Sequence, residues 1–222
     1  MPGSSAAVRA CAPASAADPR SRKGRAVHQA LNRNLYFVKE HVGMFKAANN
    51  YDVLDPETGE VILECREDKL GFFTKLLRFT DFKRATRFDI SIRTPDGQQV
   101  VRITRGFALL RSKVNVLDEN NQRIGGFRQK LLSVGGAFTV MDDMDRPVCT
   151  LKGKWTGWDF RFLDLDGAEL AHVTKKWAGL GKELFTTADN YILKIADDVP
   201  PDNVARQLIV AAVMCIDMVL KE

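Results

Sequence analysis

Residues suited to chemistry are few in this chain and stand far apart. His28, His41 and His172 form no His-Glu-x-x-His spacing or comparable ligand pattern. The four cysteines, Cys11, Cys65, Cys149 and Cys215, include no C-x-x-C pair. Their spacing indicates neither a zinc site nor a disulfide framework, and they read as buried thiols of a reducing compartment. There is no Gly-x-Ser-x-Gly elbow for a nucleophile. Gly179-Leu180-Gly181-Lys182 shares a Gly-Lys pair with phosphate loops but lacks their spacer, and Glu183 stands where Ser or Thr would hold a metal. The expectation is a protein without a catalytic constellation or a cofactor, and with no small-molecule substrate identified.

The elements that would position any site follow one plan. Short β-rich runs alternate with polar turns. Asp55-Pro56-Glu57-Thr58-Gly59 separates Tyr51–Leu54 from Val61–Leu63, and Thr94-Pro95-Asp96-Gly97 separates Phe88–Ile92 from Val100–Ile103. Asp118-Glu119-Asn120-Asn121, the stretch from Asp142 to Arg146, and Asp164-Leu165-Asp166-Gly167 repeat the arrangement. Such turns between alternating runs are hairpin signals, and a meander of them suggests a sandwich or a barrel. Near the C-terminus, Pro200-Pro201-Asp202-Asn203 is a break followed by a helix N-cap. From Leu208 to Leu220 only Asp217 is polar, so a helix there is apolar on nearly every face. A spanning helix needs about 20 apolar residues. This 13-residue run, with a carboxylate inside it, predicts a helix enclosed by protein.

Charge is unevenly distributed. Of the net +5, residues 1–26 contribute +4 through Arg9, Arg20, Arg22, Lys23 and Arg25 against Asp18. The remainder is nearly neutral, which argues against a nucleic-acid surface. Residues 1–33 read as a disordered basic tail rich in Ala, Ser, Pro and Arg, and residues 34–222 as one domain. No apolar segment of a secretory signal is present, although the Arg-rich composition also suits an organelle transit peptide. The expected location is intracellular, cytoplasmic or peripheral at a membrane.

Particular residues carry a resemblance to a known family. Lys176-Trp177-Ala178-Gly179 and Lys182-Glu183-Leu184-Phe185-Thr186-Thr187-Ala188-Asp189-Asn190-Tyr191 resemble the signature run of phospholipid scramblases. Cys215-Ile216-Asp217-Met218 to Glu222 is similar to that family's helix end. Gly43-Met44-Phe45 and Asn49-Asn50-Tyr51-Asp52-Val53 resemble its first strands. The resemblance implies the fold shared with LURP-one-related proteins and the tubby C-terminal domain. That fold is a closed antiparallel β-barrel of about twelve strands around a central hydrophobic helix, here expected over about 203–221.

The resemblance also implies a calcium-binding run, corresponding here to Thr187 through Asp198. Thr187 replaces the family's first acid, Ile192 its glycine, and Lys194 adds a cation. Asp189, Asn190 and Asp198 remain as weak calcium candidates, and a strand over Tyr191–Ile195 leading to a polar turn is the preferred reading. The cysteine-rich palmitoylation cluster of animal members is replaced by Phe-Ala-Leu-Leu-Arg over Phe107 to Arg111.

One segment suggests a lipid surface. Between Arg66 and Arg87 seven basic residues face three acids. Within it Lys69, Phe72, Phe73, Lys75, Arg78, Phe79, Lys83 and Arg84 combine apolar bulk with cations, as in segments that lie on anionic membrane interfaces. The alternative is a segment packed across the barrel mouth with its cations in water. The functional expectation is a scramblase-like protein that binds or handles membrane phospholipids, with bidirectional translocation implied by the family. A non-enzymatic tubby-like module for anionic lipids or a protein partner is the alternative.

Overall fold

The computed structural model describes residues 27–41, 50–67, 87–106, 113–129, 138–154, 158–175 and 190–220. Alternation of apolar and polar residues produces twelve strands: β1 (Leu35–Glu40), β2 (Tyr51–Leu54), β3 (Val61–Arg66), β4 (Phe88–Arg93), β5 (Gln99–Arg105), β6 (Lys113–Leu117), β7 (Arg123–Gln129), β8 (Phe138–Asp142), β9 (Pro147–Lys154), β10 (Asp159–Leu163), β11 (Glu169–Thr174) and β12 (Tyr191–Ile195). In β4, for example, Phe88, Ile90 and Ile92 are buried while Asp89, Ser91 and Arg93 are half-exposed. Each strand pairs antiparallel with its neighbours in sequence, and β1 pairs with β12, so the sheet closes into a barrel. Closure leaves no strand edge unpaired. Of the sandwich and the barrel that the turn spacing allowed, the chain adopts the barrel.

About eight strands enclose only enough room for side chains, so twelve leave a lumen that must be filled. Helix α1 (Ala205–Leu220) fills it. Every residue from Ala205 to Ile216 is buried, on all faces of the helix. A helix with its side chains is about 10–12 Å across, too wide to rest on the wall without local relief. Gly125 supplies that relief. A β-carbon there would overlap the Met141 carbonyl oxygen and stand 2.9 Å from Leu208 Cδ2. The expected cap is present, with Asn203 Oδ1 accepting from the Ala205 N–H at 2.9 Å.

The barrel has two unlike ends. One end carries the hairpins β2–β3, β4–β5, β6–β7, β8–β9 and β10–β11, and here called the turn end. A side-chain oxygen at the start of each turn accepts backbone N–H groups. Asp118 Oδ1 accepts from Asn120 (3.0 Å) and Gln122 (2.8 Å), Asp142 Oδ1 from Met144 (2.9 Å) and Arg146 (2.8 Å), and Asp164 Oδ1 from Asp166 (3.0 Å) and Ala168 (2.8 Å). Asp55 caps its turn similarly, and Thr94 Oγ1 accepts from Gln98 in the fifth. Each hairpin has a register shift beside its turn. Each also has one left-handed residue: Gly59, Gly97, Asn121, Asp145 or Gly167. This is the geometry of short hairpin loops closed by a bulge. The four aspartates are buried. Strand β1 begins and β12 ends at the turn end, and α1 enters there.

The packed chain starts before Asn34. Residues 29–31, grouped with the tail on composition, form a 3₁₀ turn whose Leu31 is fully buried in the core. Substituting Gly125→Ala forces the helix or the β7–β8 pair to shift, and is expected to cost about 1–3 kcal/mol. Val213→Asp places an unpaired charge in the lumen and is expected to cost more. Thermal melting of the two variants checks both the sign and the order.

Candidate functional site

Three regions could meet a ligand: the turn end, the opposite end, and the outer wall. At the opposite end, inward positions turn polar where the apolar strands finish. Glu67 and Arg105 are buried there, with Arg105 lying 4.6 Å over the Phe88 ring. The nearby thiols are inert. Burial pushes Cys215 up to about 12, with Arg105 lowering and Glu67 raising it, and burial likewise raises Cys65. Burial also takes Cys149 to about 12, so none of the three offers a thiolate near neutral pH.

At the same end Trp158 adopts a left-handed φ of 47°, an outlying conformation for a bulky residue. Its ring stacks on Tyr191 (5.5 Å between centroids), meets Phe160 edge-on (6.1 Å) and carries the Lys175 ammonium 4.2 Å from its centroid. Ring stacking and a cation–π contact hold the ring at the mouth of the barrel.

The outer wall is ionic. Asp89 and Arg102 pair through two hydrogen bonds of 2.8 and 2.6 Å. Asp52 joins Arg66 (2.6 Å) and His41 (2.6 Å), and Asp159 joins His172 (2.8 Å). No group of three His, Cys, Asp or Glu residues among the described residues is arranged to hold a metal.

The sequence candidates are distributed unequally over this frame. Lys69, Phe72, Phe73, Lys75, Arg78, Phe79, Lys83 and Arg84 lie outside the described residues, as does Asp189. Of the calcium candidates, Asn190 is buried just before β12 and Asp198 is exposed beyond its far end. The strand between them has five residues, which at about 3.3 Å per residue puts them at opposite ends of the barrel. They do not come together. Gly125, Glu67 and Arg105 escaped the sequence reading. The Gly125-Gly126 pair inside an alternating run was the available signal for close backbone approach.

The model of the family described as Scramblase matches residues 28–222. The chain belongs to the Scramblase family. A solved protein from Arabidopsis thaliana has the same fold, with a TM-score of 0.52 and 14% identity, covering 88% of this chain and 98% of the plant protein. No curated protein matches the chain. The Scramblase assignment gives the barrel a lipid-related context and brings no catalytic group to it.

The carboxylates of this wall and rim predict acid behaviour. Lys113 and then Arg123 hold the Asp145 carboxyl below its usual range, and the Glu57 N–H does so for Asp55. Burial pushes Asp52 up, but the hydrogen bonds from Arg66 and His41 outweigh it and leave it lowered. A depressed folded pKa gives stability that is present above the unfolded value near 4 and is lost as pH falls through the folded value. Melting temperature is therefore expected to decline below about pH 4. A scan from pH 7 to pH 2.5 in which Asp52→Asn flattens part of that decline bears this out.

Proposed function

We propose that the protein is a peripheral, non-enzymatic phospholipid-binding member of the Scramblase family that meets anionic membranes with the surface of its barrel. The observation that carries this reading is the burial of α1. A helix enclosed on all faces is unavailable to a bilayer, and no helix among the described residues is long and apolar enough to cross one. The strands argue in the same direction. They run to eight residues at most and bear ion pairs on their outer faces, whereas a spanning barrel presents an apolar band to lipid. Translocation needs a polar route for headgroups across about 30 Å of hydrocarbon. The apolar packing around α1 supplies no such route, so binding and presentation of lipid fit better than transit through the lumen.

The β3–β4 connection is the contact favoured by sequence. Its cations would sit at headgroup level while Phe72, Phe73 and Phe79 enter the acyl boundary. This reading invokes no cofactor. Each cation near an anionic surface contributes about 1 kcal/mol, and salt screens it. Changing Lys75, Arg78 and Lys83 together to Gln is expected to weaken co-sedimentation with phosphatidylserine vesicles by tens-fold, with little change in melting temperature. Unaltered binding by that variant would remove the connection from the proposal.

A further inference from the structure

The outer wall of β6, β7 and β8 holds a shallow cleft lined by Lys113, Arg123, Arg128, Gly126, Met141 and Asp145. Gly126 lines it at a point of close backbone approach, where a β-carbon would overlap the Val114 carbonyl oxygen. Lys113 and Arg128 are direct cross-strand partners in the β6–β7 ladder. Like charges in that position oppose pairing, a cost that stability of the sheet does not explain. Arg123 is fixed in place at the rim, donating to Asn115 Oδ1 (3.3 Å), to the Asp143 carbonyl oxygen (2.6 Å) and to the Asp145 carboxylate. The other Asp145 oxygen accepts from Lys113 Nζ at 2.9 Å. Lys113 and Arg123 both hold the one carboxylate while Arg128 stands beside Lys113, so the lining carries two positive charges in excess.

Asp145 is itself unusual. It occupies the left-handed position of the β8–β9 turn, with φ at 59°, where three of the other four hairpins have glycine and the fourth has Asn121. The turn thus aims an acid into the basic cleft, in the manner of a tethered anion.

We propose that this cleft binds a phosphate monoester group, with the Asp145 carboxylate occupying the place of the ligand until one arrives. Displacing Asp145 leaves three cations in the lining, enough to neutralise a monoester, which carries about 1.5 to 2 negative charges near neutral pH. Arg123 presents a pre-positioned guanidinium, and guanidinium geometry suits phosphate oxygens. Lys113 and Arg128 supply the remaining charge from adjacent strands, and their mutual repulsion is relieved when an anion lies between them. Displacing Asp145 requires movement of a turn tip only. The inference deepens the phospholipid-binding reading by naming the headgroup chemistry, and it concerns a site distinct from the β3–β4 connection.

The test uses the full chain and three probes: phosphatidylcholine vesicles doped with phosphatidic acid, the same vesicles doped with phosphatidylglycerol to equal surface charge, and glycerol 3-phosphate in solution. The cleft predicts at least ten-fold preference for phosphatidic acid over phosphatidylglycerol. Lys113→Gln/Arg128→Gln should abolish the preference, leave binding to phosphatidylglycerol intact and preserve the melting temperature. Asp145→Asn should strengthen phosphatidic acid binding several-fold by removing the competing carboxylate. Saturable binding of glycerol 3-phosphate that the double variant abolishes, without a vesicle preference, supports the cleft and assigns it to soluble phosphate esters. Equal binding to both vesicle types with no binding of glycerol 3-phosphate overturns the proposal, as does a preference that survives in the double variant. Loss of all vesicle binding in the Lys75, Arg78 and Lys83 variant, with glycerol 3-phosphate binding retained, locates a failure in the membrane reading and not in the cleft.

Discussion

The structure depends on how the buried arginine at the start of α1 is satisfied. Arg206, in the first turn of α1, is 1% exposed and makes five hydrogen bonds. Its guanidinium donates to the carbonyl oxygens of Leu31 (3.1 Å), Arg33 (2.8 Å), Val199 (2.6 Å) and Pro200 (2.9 Å), and to Asn34 Oδ1 (2.7 Å). The acceptors come from the segment that leads into β1 and the segment that leaves β12. Those two strands form the seam at which the barrel closes, so one side chain fastens the seam to the helix inside it. Among the described residues no carboxylate pairs with it. Carbonyl dipoles, with the Tyr36 hydroxyl beside them, offset a charge that burial and the positive end of the helix both disfavour. Removing the guanidinium would strand those oxygens at about 1–3 kcal/mol each. A lysine has neither the donors nor the planar fork to replace it. Tyr36, buried beside the arginine, has its hydroxyl raised to about 12 by that burial even though Arg206 pulls it down, so the seam is insulated from titration near neutral pH.

From this anchor the division of labour between the ends follows. The helix is tied at the turn end, where buried carboxylates and bulges lock five hairpins into short, similar loops. At the other end the strands finish among Glu67, Arg105 and the Trp158 stack. The wall between them is covered by ion pairs, which contribute little to stability individually when exposed. They give the barrel a polar exterior and leave the lumen apolar. The domain therefore solves with its own C-terminal segment the problem of filling a wide barrel, and its surface is left for recognition.

How much of this could be read in advance depended on whether the signal was local. The turns were legible because Asp or Thr followed three or four residues later by Gly, Asn or Asp is itself the chemistry of a capped, bulged hairpin. The enclosed helix was legible from the unbroken run Leu208–Ile216 and from Asn203 at its start. Arg206 was not, because three of the five acceptors that make its burial tolerable lie more than 170 residues earlier in the chain. For the same reason Leu31 looked like tail: its apolar partners are supplied only once the barrel closes. The basic cleft was hidden because Lys113, Arg128 and Asp145 converge through strand register, which composition does not reveal. The signature run that pointed to the Scramblase family lies largely outside the described residues, so the family and the geometry rest on separate observations.

The central claim is that α1 is the core of the barrel and remains so at a membrane surface. Hydrogen–deuterium exchange of the full chain, with and without phosphatidylserine vesicles, measures this directly. Amides from Leu208 to Ile216 should be among the slowest to exchange in water and should be unchanged by vesicles, because they open only with the barrel. Rapid exchange of that segment in water, with protection appearing only when lipid is added, would contradict the account and make the helix a membrane element.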